Sequence, residues 1–433
     1  MKLLIKNGRV IDPATNLDEI IDILVENGKI ISIEKNIEVQ TDRIINANSL
    51  WVVPGFIDVH VHLRDPGFEY KETIATGGRS AAKGGFTTIC CMPNTKPVID
   101  NKEIIEYVNM KAKTESLVHV LPIGAITKGQ AGVELADIEE MVKAGVCAIS
   151  EDGKTVVNSG LMEEALKIAA KLNIPVLSHC EDHSLIKKGG AMNEGDRSRR
   201  LGITGISAES EEVIVARDMI LAKGTGSKLN ICHISTKGSV ELVRDAKRRG
   251  QKIWAEVSPH HFTLTDKDVE PNNTNTKMNP PLRTEKDVQC IIDGLRDGTI
   301  DIIATDHAPH HEMDKYVSYE QAAFGIVGLE TSVALGITEL VNKGVLSPSQ
   351  LIAKMTINPA KMLGIKKGQL KVGCMADITI IDTNKEYEIN CNDFESKSKN
   401  SPFHGRKVKG KALYTIVNGE IVMDNGKLKR EDI

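Results

Sequence analysis

The chain has 433 residues, 41% of them hydrophobic, and its 55 basic and 59 acidic side chains leave a formal charge of -4. That length exceeds the ~250–300 residues at which a single core stops growing, so one large domain with a smaller companion is expected. Charge spread evenly along the chain excludes the electrostatic footprint of a nucleic-acid or anionic-membrane binder and points to a small-molecule partner. No apolar stretch reaches about 18 residues and no signal peptide is legible, so a soluble cytoplasmic protein is expected. The eight cysteines include no CxxC and lie mostly in apolar runs, which argues against a disulfide framework.

The first 50 or so residues alternate short apolar runs with turns. In "LLIKNGRVID" and "DILVENGKIISI" the pairs Asn7-Gly8 and Asn27-Gly28 suit hairpins, because both residue types tolerate positive φ. The signature returns near the other end, in "ADITIID" and in "LYTIVNGEIVMDNGKL" with Asn418-Gly419 and Asn425-Gly426. Both ends therefore read as one small composite β domain, residues 1–52 with 366–433.

Between them, residues 53–365 carry eight strand candidates: "GFIDVHVH", "TTICCMPN", "VHVLPIGAIT", "VCAISEDG", "PVLSHCED", "LNICHIS", "KIWAEVSPHH" and "DIIATDHAPH". Amphipathic segments such as "NKEIIEYVNMKAKTES", "GLMEEALKIAAKLN", "SEEVIVARDMILAKGTG" and "GSVELVRDAKRRG" lie between them, with helical apolar spacing and polar or glycine stops. Strand followed by helix, repeated, is the pattern of an α/β protein with parallel strands. Eight repeats predict a (β/α)8 TIM-type barrel, whose chemistry belongs at the C-terminal ends of its strands.

Those strand ends hold the polar residues. His60 and His62 close the first strand, and a spacing of two turns both imidazoles to one face. Asp152 follows the fourth strand, His179 the fifth, His233 the sixth and Asp306 the eighth. One HxH alone is as readily two satisfied core histidines. Six imidazole or carboxylate groups on one rim would cost several kcal/mol if buried unpaired, so a metal centre is expected. Six ligands exceed one open tetrahedral site, whereas two ions about 3.5–4 Å apart can share a carboxylate and a hydroxide. Imidazole and carboxylate without thiolate favour two zinc ions, with manganese, cobalt or iron able to fit the same ligands.

"DVHVHLRDPG" and "ATDHAPHHEMDK" resemble the two signature motifs of the dihydroorotases, within the amidohydrolase superfamily. "MPNT", "NEGDRSRRLGITG", "MNPPLR" and "FGIVGLE" extend the resemblance over nearly the whole chain, most closely to the bacterial type I enzymes. The resemblance implies His60, His62 and Asp306 on one ion, His179 and His233 on the other, and Asp152 bridging. It implies reversible hydrolysis of dihydroorotate to N-carbamoyl-L-aspartate in pyrimidine synthesis. A bridging hydroxide would attack, and Asp306 would shuttle the proton as general acid and base.

It further implies that Arg64, Asn94 and His310 grip the substrate carboxylate, that Asn279 touches the ring, and that Phe324 and Gly325 offer backbone contacts. Residue by residue, plainer readings exist: Arg64 paired with Asp65, Asn94 as a turn cap, Asn279 as an Asn-Pro turn former, His310 as a loop histidine. Asp65, Pro66 and Gly67 read as a turn that aims Arg64. His183, His260, His261 and His307 are taken as non-ligands. Residues 310–323 lack an apolar period and read as a loop that closes over substrate.

Rival readings remain at this point. Hydantoinases, dihydropyrimidinases and allantoinases share the barrel but bridge their metals with a carboxylated lysine, and Lys154 lies two residues past Asp152. A catalytically silent scaffold subunit of aspartate carbamoyltransferase is the other rival, although such chains lack ligands. Binding of an active enzyme to that transferase, and a homodimer, are partner expectations.

Overall fold

Every residue of the strand Phe56–Val61 is buried, as a parallel strand covered on both faces must be. The computed structural model, which describes residues 1–429, places it first in an eight-stranded parallel sheet. Phe86–Cys91, His119–Ala125, Ala148–Ser150, Val176–Ser178, Leu229–Ile231, Ile253–Val257 and Ile302–Ile303 follow in chain order, each beside its predecessor. The seam between the eighth and first strands is closed by a parallel bridge from Val61 to His307 and by the His62 N–H donating to the His307 carbonyl at 2.8 Å. The expected eight strands are thus all present and form a nearly closed barrel.

The four expected helices are Lys102–Glu115, Ser159–Leu172, Glu209–Thr225 and Lys237–Arg248. Ile74–Gly84, Ile138–Ala144 and Glu285–Asp297 add to them. The first of these three hides in the sequence because Gly77 and Gly78 weaken its helical pattern. They are there for contact: a Cβ on Gly77 would lie 2.3 Å from Leu63 Cδ2, and one on Gly78 would lie 2.4 Å from Ser116 Oγ. The helix therefore lies directly against the segment that carries His62 and Arg64.

The second sheet is built from both ends of the chain. Its spatial order is Lys427–Leu428, Glu420–Asp424, Lys407–Val417, Ile378–Glu388, Trp51–Pro54, Lys2–Asp12, Leu17–Glu26 and Lys29–Glu34, with Arg43–Asn46 also pairing to Lys2–Asp12. Three of the four Asn-Gly pairs turn hairpins as expected. Asn7-Gly8 does not: Lys2–Asp12 runs through it as one strand with a register shift between Ile5 and Gly8. The left-handed conformation that Asn7 adopts, φ 62°, serves a bulge as well as a turn. A Cβ on Gly8 would meet Val52 Cγ2 at 2.4 Å, so the bulge also lets two strands approach.

Between Ile378–Glu388 and Lys407–Val417 the chain leaves this sheet, and residues 396–400 reach the barrel mouth. Among the described residues no helix is long and apolar enough to cross a membrane.

Candidate metal centre and substrate cradle

The C-terminal ends of the barrel strands gather the donors. Leu177, Ala304 and Ala148 belong to one buried apolar cluster. His179 directly follows the strand Val176–Ser178, Asp152 lies in the turn two residues past Ala148–Ser150, and Asp306 lies three past Ile302–Ile303, where a φ of 50° takes it out of strand alternation. His60, His62, Asp152, His179, His233 and Asp306 are all buried.

The Asp152 carboxylate lies at their centre. Its Oδ1 is 3.2 Å from His60 Nε2, 3.6 Å from His179 Nδ1 and 3.8 Å from His233 Nε2, and its Oδ2 is 3.4 Å from His62 Nε2. Asp306 Oδ1 lies 3.2 Å from His62 Nε2 and 3.6 Å from His60 Nε2. All six expected donors are therefore brought together. Two groups, His60 with Asp152 and His233, and His60 with His62 and Asp306, have donor atoms close enough to hold an ion each.

The donor set can be tested for fit. His60 Nε2 and Asp152 Oδ1 are buried without a hydrogen-bond partner. Buried polar atoms are rarely left so, and a cation between them satisfies both. Burial alone would raise the Asp152 pKa, but the imidazoles of His60, His179 and His233 outweigh it and hold the carboxyl well below its usual range. Asp306 is likewise held down against burial, first by its hydrogen bond with His62 and then by the neighbouring imidazoles. His62 is lowered by burial and by Arg64. Both carboxylates are thus ionised and available to a cation.

Outer partners fix the imidazoles. His60 Nδ1 lies 2.7 Å from Glu256 Oε1, and the other oxygen of Glu256 accepts from Asn230 at 2.8 Å. A carboxylate behind a ligating histidine fixes its tautomer and raises its basicity. Sequence reasoning missed Glu256, although a lone buried acid in "WAEVSPHH", spaced two from Trp254, was the signal. Cys232 completes a further buried group with His60 and Glu256. Glu181, also missed, lies 3.4 Å from His179 Nε2.

Backbone strain concentrates at this rim. Arg64, His233 and Asp306 have φ of 61°, 30° and 50°, a region that costs non-glycine residues of order 1–3 kcal/mol each. In Arg64 it turns the guanidinium back over the barrel. Asp65 does not pair with it, accepting instead from Lys111 at 3.1 Å and Tyr107 at 2.9 Å. Arg64 Nε donates to the Pro309 carbonyl at 3.2 Å, and Nη2 lies 3.3 Å from His310 Nε2. Burial lowers its pKa to about 10, so it stays cationic at neutral pH.

The remaining expected residues line the same mouth. Asn94 Oδ1 is 2.9 Å from His62 Nδ1, and its amide donates to Asp152 Oδ2 at 3.3 Å. Asn279 donates to both oxygens of Glu181, at 3.1 and 3.0 Å. His310 donates from Nε2 to the Phe324 carbonyl at 2.7 Å, while Lys71 donates to its Nδ1 at 3.2 Å. Burial, with Arg64, Lys71 and Lys315 nearby, pushes the His310 pKa down to about 2, so the ring is neutral. Gly325 has φ 128°, and a Cβ there would stand 2.6 Å from that of Ala308. A cleft of about 650 Å³ opens beside His310, lined also by Lys315, Tyr316, Lys397 and Asn400.

Three histidines set aside from the centre have other partners. His183 meets Glu181 at 3.4 Å, His261 donates to the Pro280 carbonyl at 3.0 Å, and His307 lies 3.3 Å from Glu72. His260 is buried, and its Nε2 has no hydrogen-bond partner. Lys154 donates to the Gln130 carbonyl at 2.9 Å. Residues 310–323 are not structureless: Glu312–Lys315 forms a helical turn, and the buried Lys315 ammonium donates to the carbonyls of Thr274, Lys277 and Ala323.

A family model described as dihydro-orotase-like matches residues 50–239, and one described as amidohydrolase family matches residues 292–423. A dihydroorotase of Acetivibrio thermocellus is 55% identical over 421 residues, covering 97% of this chain and 99% of that protein. One of Ruminiclostridium cellulolyticum is 53% identical over 423 residues, covering 98% and 99%. Among solved structures, an L-hydantoinase from Arthrobacter aurescens superposes with a TM-score of 0.90 at 28% identity, covering 99% of this chain and 97% of that one.

Proposed function

This chain belongs to the dihydroorotase family, and on that premise we propose how its residues interconvert (S)-dihydroorotate and N-carbamoyl-L-aspartate. It is a metal-dependent cyclic amidohydrolase. The observation that carries the site reading is the convergence of four imidazoles on the Asp152 carboxylate, two of them also facing Asp306, with His60 Nε2 and Asp152 Oδ1 buried and unpartnered.

We assign two zinc ions to these donors: His60, His62 and Asp306 would hold one, His179 and His233 the other, and Asp152 would serve both; manganese or cobalt would suit the same set. When bound, such ions polarise an amide carbonyl and bring the acidity of water into the neutral range. Arg64 receives the substrate carboxylate, since no acidic side chain among the described residues lies within ion-pair distance of it and its fork suits two parallel hydrogen bonds. Neutral His310 and Lys71 border the same cradle. Asn94 reaches it while holding His62, and Asn279 meets the ring. The backbone of Phe324 and Gly325 would lie against the ring, held there by a close approach to Ala308 that only glycine permits.

Asp306 takes the proton of the attacking water as the carbon–oxygen bond forms. It returns that proton to the ring nitrogen as the carbon–nitrogen bond breaks. Run backward, the same group removes a proton from the ureido nitrogen and assists loss of water.

Hydantoinase activity is supported less. The likeness to a hydantoinase rests on 28% identity, and the Lys154 amine is held by the Gln130 carbonyl while a carboxylate, that of Asp152, occupies the centre. A scaffold role conflicts with the full set of donors. The same reading makes the cytoplasm the site of action and aspartate carbamoyltransferase and a second copy of the chain its candidate partners, open to co-purification and sedimentation.

The test is metal analysis of the purified protein with assays on dihydroorotate, hydantoin, dihydrouracil and allantoin. Metal-dependent turnover of dihydroorotate at the highest kcat/KM is expected. Preference for hydantoin, or turnover unaffected by metal removal, would overturn the reading.

A further inference from the structure

The segment Ser396-Lys-Ser-Lys-Asn400 belongs to neither the barrel strands nor the end sheet, yet it reaches three pieces of the mouth. Ser396 and the Lys397 N–H donate to Glu72, whose carboxylate lies 3.3 Å from His307 Nε2. Ser398 donates to the Lys71 carbonyl at 2.7 Å. Asn400 ends the run, and it is 6% exposed.

All the hydrogen-bonding groups of the Asn400 side chain are engaged. Its amide donates to the carbonyls of Ala308 and Gly325, both at 3.1 Å, and its Oδ1 accepts from the His310 N–H at 3.1 Å. Its main-chain carbonyl accepts from the Val327 N–H at 2.9 Å. The two segments it joins carry His310 on one side and Phe324-Gly325 on the other, and His310 itself donates to Phe324.

We propose that Asn400 is a positioning residue for substrate: it fixes the spacing of His310 and the Arg64 guanidinium beside it relative to the Gly325 backbone, and so sets where the carboxylate and ring are held. This rests on the reading that those residues contact dihydroorotate. The Asn400 side chain acts through them and touches no reacting atom. Misplacement of binding groups by about 1 Å is enough to cost on the order of 10²-fold, and no backbone contact can replace a side chain that offers two donors and an acceptor at one point.

The test compares Asn400→Ala and the milder Asn400→Ser, each alone and in a His310→Ala background, with wild type. Wild-type turnover of dihydroorotate checks the functional reading by itself; the ratios between variants check the proposal. Asn400→Ala is expected to raise KM for dihydroorotate by about 10-fold or more with kcat within about 3-fold, with metal content unchanged. In the His310→Ala background the same change should cost clearly less than in wild type, because the part of its effect that runs through that ring is already gone and residues acting as one unit are not additive. Additive losses, or a fall in kcat at constant KM, would overturn the proposal. Loss of the cooperative thermal transition in both Asn400 variants would equally overturn it, by making the residue a support of the fold alone.

Discussion

Asp306 carries the heaviest chemical demand at the mouth, since one carboxylate is asked both to hold a cation and to move a proton. Asp306→Asn keeps the shape and one oxygen donor but removes the proton carrier, so kcat should fall by at least about 10²-fold with metal still bound; near-normal turnover would remove it from the mechanism. Arg64 makes a different demand. With no carboxylate within ion-pair distance among the described residues, Arg64→Met should weaken binding of orotate far more than of uracil, which lacks the carboxylate, as competitive inhibition constants would report. Glu256 acts at one remove, 2.7 Å behind His60. Glu256→Gln is expected to weaken metal affinity by about 10- to 100-fold, measurable by competition with a chelator. These three residues differ in legibility. Asp306 and Arg64 stand in a chemical string, a run of acids, bases and turn formers that apolar packing does not produce. Glu256 stands alone in a strand, and only the third dimension supplies its partner.

Whole elements follow the same division. The eight barrel strands could be read because each is a short apolar run ending in polar residues, a signal local in sequence. The helix Ile74–Gly84 could not, since its two interior glycines exist to admit Leu63 and Ser116, which are distant or only modestly near in the chain. The expected mobile loop at 310–323 was half legible: its lack of period is real, but a buried lysine pins it. Lys315 is 5% exposed, and burial, with Lys277 nearby, lowers its pKa to about 7 from an ordinary value of 10.5. Between those two values the unfolded chain binds more protons than the native one, so native stability should rise with pH across that window. Lys315→Met removes the titration. The rise in stability between pH 7 and pH 9.5, followed by urea unfolding, should become shallower in the variant, by at most a few kcal/mol. An unchanged slope would mean that the ammonium is not strained by its burial.

At the level of the molecule, four imidazoles and two carboxylates are packed at one end of a barrel, with Glu256 and Asn230 buried behind them. Such a cluster is stable only when its charges are balanced. Chelation should therefore lower the melting temperature, and added zinc should restore it, by the equivalent of about 2.7 kcal/mol at a free ion concentration 100 times the dissociation constant; scanning calorimetry with and without dipicolinate measures it. The interleaving of both chain ends in one sheet has a further consequence, for synthesis. Trp51–Pro54 is hydrogen-bonded on one side to Lys2–Asp12 and on the other to Ile378–Glu388. On the ribosome, at ~5–20 residues per second, its second flank waits on the order of half a minute for a neighbour. Throughout that interval an open strand edge faces solvent or chaperones. Nascent chains stalled before the last strands are thus the species most prone to clump, and slowing translation late in the message should harm yield more than slowing it early.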